Sequence, residues 1–174
     1  SVQVGGREIV DVVVAPVRSH SAYRYEYRWG EFVEAYDVLA EGAEQTFTLD
    51  RHPGVDGDLV IEGEVTSAMD AMRTGDQHGR ITFHDDDGHA LVHYGEAFAL
   101  DASDRRIPMV SSWDGERIRL RVPADFVETA EYPLVVDPLL TRQCIQLSGP
   151  PWGGVSSTDI GRDDSYNQLG VAYT

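Results

Sequence analysis

Arg80-Ile-Thr-Phe-His-Asp-Asp-Asp-Gly-His-Ala-Leu-Val-His-Tyr94 reads as a β-hairpin. Two runs, Arg80 to His84 and His89 to Tyr94, flank Asp85-Asp86-Asp87-Gly88, where Gly88 can take the positive φ that closes a four-residue hairpin loop. Downstream, Ile107 to Ser112 and Glu116 to Val122 repeat the arrangement around Trp113-Asp114-Gly115. Side chains alternate across a strand, so Arg117, Arg119 and Arg121 face away from Ile118, Leu120 and Val122. Three Arg on one face predict a surface charge ladder with carboxylates on a neighbouring strand. Pro123 to Ala130 suits one or two helical turns, and Tyr132 to Val136 reads as a last strand stopped by Asp137-Pro138.

Upstream, Asp58 to Val65 reads as a strand after a loop carrying His52, Pro53, Gly54 and Gly57, and Gln45 to Asp50 is a short, Thr-rich one. Tyr23, Tyr25, Tyr27 and Trp29 alternate with Arg24, Glu26 and Arg28, with Phe32 to Leu39 returning past Gly30 as hairpin partner. Glu8 to Val14 is apolar and β-branched enough for a buried strand closed by Pro16. Period-2 alternation thus dominates over helical periodicity. About ten to twelve short antiparallel strands with regular turn signals predict an all-β fold, a β-sandwich or two packed sheets. We expect this module to span residues 1–140, with the boundary falling between 139 and 154, where Gly149-Pro150-Pro151-Trp152-Gly153-Gly154 breaks regular structure. Residues 141–174 then read as a linker and the first strand or strands of a following β-repeat unit, with Val171 to Tyr173 as a strand.

The 174 residues suffice for a sizeable core without disulfide or metal support, and the lone Cys144 has no partner within the chain, leaving a bond to another chain open. A formal charge of −16 argues against a nucleic-acid backbone binder. No apolar run reaches the ~18 residues of a spanning helix, and the N-terminus shows no signal-peptide pattern. All 14 basic residues are Arg. A biased genome explains that, or a surface using the bidentate geometry of guanidinium. Residues 31 to 64 hold ten carboxylates (Glu31, Glu34, Asp37, Glu41, Glu44, Asp50, Asp56, Asp58, Glu62 and Glu64) against Arg51. Such a run is a solvated face in the plain reading and a cation or basic-partner site in the functional one.

His84, His89 and His93 surround the three aspartates and invite a zinc reading. On the predicted hairpin His84 and His89 face each other, while His93 lies about 13 Å farther along its strand at ~3.3 Å per residue. The expectation is therefore a strand-end pair of exposed His and no metal centre. Asp85 to Asp87, Asp56 with Asp58, and Asp159 with Asp163 and Asp164 are fragments of calcium loops, which keeps calcium open without assigning it a carboxylate. The Tyr23/Tyr25/Tyr27/Trp29 row suits one wall of a core, with a sugar-stacking platform as the alternative. Asp76, Gln77 and His78, or Ser111 and Ser112 near a His, could be forced into a hydrolase constellation, but no nucleophile elbow, phosphate loop or zinc-protease pattern supports one. No catalytic residue is assigned.

Asp101-Ala-Ser-Asp-Arg-Arg106, Asp114-Gly115 with Ile118 to Val122, and Ala130-Glu-Tyr-Pro-Leu-Val-Val-Asp-Pro138 together resemble a module of large secreted or surface bacterial proteins. In those proteins it precedes β-propellers, wall-associated repeats or other β-rich arrays. Ala43 to Phe47 and Gly57 to Val60 suit the module too, so the resemblance covers roughly residues 22 to 140, and Ser156 to Tyr173 resembles the opening of a following repeat. The resemblance implies a secreted or cell-surface, non-catalytic β module serving adhesion, assembly or presentation of a downstream repeat domain. Its expected partners are other domains or subunits of a surface assembly, with no nucleic acid and no membrane span. The alternative function is a carbohydrate-binding module with a calcium-stabilised loop, its partner a glycan.

Overall fold

The computed structural model describes residues 1–142 apart from positions 12, 41, 68 and 74–79, with the backbone alone at 71–73 and 139–142. Among these residues the chain forms fourteen strands and one short helix. The strands are β1 (Val2–Val4), β2 (Arg7–Glu8), β3 (Val17–His20), β4 (Arg24–Trp29), β5 (Phe32–Leu39), β6 (Gly42–Leu49) and β7 (Leu59–Glu64). There follow β8 (Asp70–Arg73), β9 (Ile81–His84), β10 (Ala90–Leu100), β11 (Arg106–Pro108), β12 (Val110–Trp113), β13 (Arg117–Val122), α1 (Ala124–Thr129) and β14 (Leu134–Arg142). All pairings are antiparallel, in a small sheet ordered β12-β13-β7-β1-β2 and a large one ordered β3-β4-β5-β6-β14-β10-β9-β8, with β11 also paired to β10. This is the expected all-β sandwich, with more strands than ten to twelve because several are only two to four residues long.

Alternation makes the core. Phe32, Phe47, Leu134 and Val136 of the large sheet meet Val2, Val4, Leu59, Ile61, Leu120 and Val122 of the small one, all buried. Burying a side chain of this size contributes about 1.5–3 kcal/mol. At the predicted hairpin, Gly88 takes φ 81, but His84 pairs with Ala90 rather than His89, because His89 is drawn into the turn by its amide bond to Asp85. Gly30 takes φ 57 at the first of two loop positions between Trp29 and Phe32, where a type II′ turn wants glycine.

Three expectations need correcting. Glu8 to Val14 is no buried strand: among its described residues only Val10 is buried, while Val13 is 90% and Val14 58% exposed. The chain turns there, with the Asp11 carboxylate accepting the Val13 amide at 3.0 Å. Ile107 to Ser112 is two strands in different sheets, divided at buried Met109, whose amide donates to the Ala97 carbonyl at 2.9 Å. Finally, Asp137-Pro138 does not stop the last strand. β14 runs on to Arg142, and Pro138 is tolerated because β10 shifts its register between Tyr94 and Ala97, where the ladder is already irregular. The proposed second unit, with Cys144, Asp159, Asp163, Asp164 and Val171 to Tyr173, lies outside the described residues, as do Asp76, Gln77 and His78.

Candidate functional site: the inter-sheet cleft

The large sheet is wider than the small one, so its first strands overhang the sandwich. Register places Tyr25, Tyr27 and Trp29 of β4 on the same face as Phe32, Glu34 and Tyr36 of β5 and Gln45 and Phe47 of β6. Where the small sheet covers this face, the two layers leave a cleft of about 520 Å³. That volume lies in the range of small-molecule sites, about 300–1,000 Å³. The deep end is apolar, formed by Phe32, Phe47, Ile61, Phe83, Ile118 and Leu120. Toward the mouth the lining becomes half-buried Glu34, Tyr36, Gln45, Val65 and Met69, with exposed Thr66 and Ser67 at the rim.

Tyr94, Gln45, Tyr36 and Glu34 form one chain of hydrogen bonds along the cleft. Tyr94 Oη donates to Gln45 Oε1 at 3.3 Å. Gln45 Nε2 faces Glu34 Oε1 at 2.8 Å and Tyr36 Oη at 2.9 Å, and Tyr36 Oη donates to Glu34 Oε1 at 2.6 Å. The network ends on Glu34 Oε1, which accepts from both Tyr36 and Gln45. Burial, reinforced by the Glu34 charge, pushes the Tyr94 hydroxyl well above the usual phenol range.

The aromatic row divides between the two readings offered for it. Trp29 belongs to the wall: it packs against the core, tilts onto Phe32 at 6.4 Å and donates from Nε1 to the Val14 carbonyl at 2.9 Å. Tyr27 is half-buried, lying 6.4 Å from both Trp29 and Tyr36 between ring centres. Tyr25 is 49% and Tyr23 69% exposed, and His20 of β3 stacks on Tyr25 at 5.8 Å. The row thus leads from an open shelf into the covered cleft.

Half of the acidic stretch is paired with arginine. Asp37 meets Arg24, Asp50 meets Arg28, Glu31 meets Arg51, Asp58 meets Arg121 and Glu62 meets Arg119, so five of its ten carboxylates carry ion pairs to Arg. The last two pairs, with Arg117 near Glu62 at 3.7 Å, form the expected ladder between β13 and β7. Three of the ten line the cleft: Glu62 is paired to Arg119, Glu64 is exposed at the rim, and Glu34 is half-buried with its hydrogen bonds coming from neutral groups.

The remaining motifs hold the fold. Asp58 Oδ1 accepts the Ala124 amide at 2.8 Å, satisfying a donor at the start of α1. His84 and His89 do not form a facing pair. Instead Asp85, Asp87 and His89 bring ligand-type atoms within 4.8 Å of one another, while His93 lies apart, bonded to Thr82 at 3.0 Å. Asp85 Oδ1 accepts the amides of Asp87 and His89, and Oδ2 lies 3.2 Å from His89 Nδ1. These bonds, led by the His89 amide, hold the Asp85 carboxyl below the usual range.

Asp101, in the run that opens the resemblance, accepts Ser103 N, Ser103 Oγ and Arg105 N at Oδ1 and Arg105 Nε at Oδ2. Burial alone would raise its pKa, yet these bonds outweigh it and hold the carboxyl at about 2. Asp114 likewise closes its turn on the Glu116 and Arg117 amides, and Tyr132 donates to the Val127 carbonyl at 2.9 Å. Ser111 is buried in β12.

Sequence reading missed Glu34, Tyr36, Gln45 and Tyr94 as a group. The available signal was the polar interruption of two apolar faces, Phe32-x-Glu34-x-Tyr36 and Gln45-x-Phe47-x-Leu49. Among the described residues no helix is long and apolar enough to cross a membrane. No family model, curated protein or solved structure matches this chain.

Proposed function

We propose that this sandwich is a non-catalytic binding module of a larger secreted or surface protein, and that it serves adhesion by holding a saccharide in the inter-sheet cleft. The observation that carries the reading is the lining itself. Sugars present apolar C–H faces and polar edges, and the cleft sets Tyr36 and Trp29, with Tyr27 packed behind them, beside the carboxylate of Glu34 and the amide of Gln45. Exposed Tyr25 and Tyr23 extend the same face outward, which suits a chain of several sugar units. The resemblance to modules that precede β-repeats supports the surface setting.

A glycan array probed with the wild type, Tyr25→Ala and Tyr36→Ala tests this reading. Retention of one glycan class, weakened about tenfold or more by either variant, supports it, equivalent to about 1.4 kcal/mol. Retention of nothing by the folded wild type contradicts it.

A second reading is favoured by a different observation. Val13, Val14 and Val17 are exposed beside β3, an edge strand of the large sheet. Unpaired edges and apolar patches are docking surfaces, which fits presentation of a neighbouring domain. Val17→Lys would then abolish association with the following repeat domain while leaving glycan retention unchanged.

A further inference from the structure

We infer that the cleft selects a saccharide carrying a protonated amine, with Glu34 as the residue that reads the charge. The inference deepens the reading of the cleft as a saccharide site and rests on it. Three observations point the same way. First, of the carboxylates that line the cleft, Glu62 is paired to Arg119 and Arg117 and Glu64 is exposed at the rim, whereas half-buried Glu34 accepts its hydrogen bonds from the neutral Tyr36 and Gln45 and, among the described residues, carries no ion pair. Second, both of those bonds reach Oε1, and among the described residues none reaches Oε2. The carboxylate is fixed in orientation with one oxygen left for an incoming donor. Third, the rings of Tyr36 and Trp29 border the same space, with Tyr27 packed beside both, and aromatic faces attract cations as well as sugar C–H groups.

A charge-assisted hydrogen bond from an ammonium to Oε2 is about twice as strong as one from a neutral hydroxyl, and the half-buried site screens it less than open solvent would. An acetylated amine offers only a neutral amide donor and added bulk. A neutral hexose offers hydroxyls alone. The cleft should therefore rank the three chemistries in the order amine, then hydroxyl or acetamide. The chain's net charge of −16 also attracts cations, but a long-range field has no preference for one carboxylate and is screened by salt.

The test is titration calorimetry of the whole chain with three β-1,4-linked hexasaccharides, of glucosamine, N-acetylglucosamine and glucose, at mildly acidic pH and in low and moderate salt. The expected result is at least about tenfold tighter binding of the glucosamine oligomer in moderate salt, with the preference abolished in Glu34→Gln and retained in Glu128→Gln, an exposed carboxylate on α1 away from the cleft. Equal affinity for all three overturns this inference and leaves the saccharide reading of the cleft standing. A preference that survives Glu34→Gln, or vanishes with salt in the wild type, reports the net charge and overturns it as well. No binding of any oligomer overturns both. If Glu34→Gln fails to fold, the wild-type ranking and its salt dependence still decide the matter.

Discussion

Tyr36 donates its hydroxyl proton to Glu34 Oε1 at 2.6 Å, from two positions along the same strand face. The bond joins a carboxylate that would otherwise swing in the cleft to a ring that forms its wall. Gln45, across the ladder on β6, reaches both. Truncating Gln45 to Ala removes the hub and leaves Tyr94 Oη without its acceptor. We expect a loss of about 1–2 kcal/mol in urea unfolding with an unchanged m-value. A loss below a few tenths of a kcal/mol would mean that water replaces the amide without cost.

Asp101 gives the fold its clearest pH signature. Its carboxyl sits at about 2 in the folded chain, below the roughly 3.9 of an unfolded one. A depressed folded pKa contributes stability that is present above the unfolded value and lost as pH falls through the folded value. The melting temperature of the wild type should therefore fall between about pH 4 and pH 2, and Asp101→Asn should melt lower at neutral pH with a flatter fall across that window. Parallel acid profiles for the two proteins would contradict this assignment.

Much of this was legible beforehand. The Asp-Gly and Trp-Asp-Gly turns, the Arg117/Arg119/Arg121 ladder and the β4–β5 hairpin follow from local chemistry, since alternation and turn residues act over a few positions. What failed depended on partners distant in sequence. Val13 and Val14 have strand propensity but no sheet to join, and Pro138 sits mid-strand because of an irregularity in β10, about 40 residues away. The cleft was hidden for the same reason. Glu34 looked like one carboxylate among ten, and only the register of β5 against β6 sets it beside Tyr36 and Gln45 and turns it inward.

Gly5 and Gly57 form a backbone contact that no other residue pair can replace. A Cβ on Gly57 would stand 2.5 Å from the Gly5 Cα, and Gly57 itself takes φ 127. This contact seats the β1–β2 turn against the lead-in to β7, where the Gly5 amide donates to the Asp58 carbonyl at 3.1 Å. Gly57→Ala should cost about 1–3 kcal/mol from backbone strain, with further loss from the clash. Gly54→Ala is its control, since φ is positive there but the space is open. Equal losses for the two variants would remove the role given to close approach.

Calcium is tested by a thermal melt of the chain in millimolar calcium against EDTA. Asp58 is bonded to Arg121 and the Ala124 amide, and Asp85 accepts two amides and faces His89, so these loops use their own oxygens. We expect coincident melting curves. An upward shift of several degrees would show that a cation binds the folded state by mass action and would reassign the Asp85/Asp87/His89 group.

A saccharide held in the inter-sheet cleft would contact a defined set of residues. Amide shifts in a ¹H–¹⁵N spectrum, followed as the glucosamine hexasaccharide is added, measure this. The prediction is a set of saturable shifts at Glu34, Tyr36, Gln45 and Tyr94, extending to Tyr25 on the overhanging strand, with Thr46 and Thr48 on the opposite face unmoved. Shifts confined to the β3 edge or the outer face of the large sheet, or none at all at saturating oligomer, would contradict the cleft as the binding site.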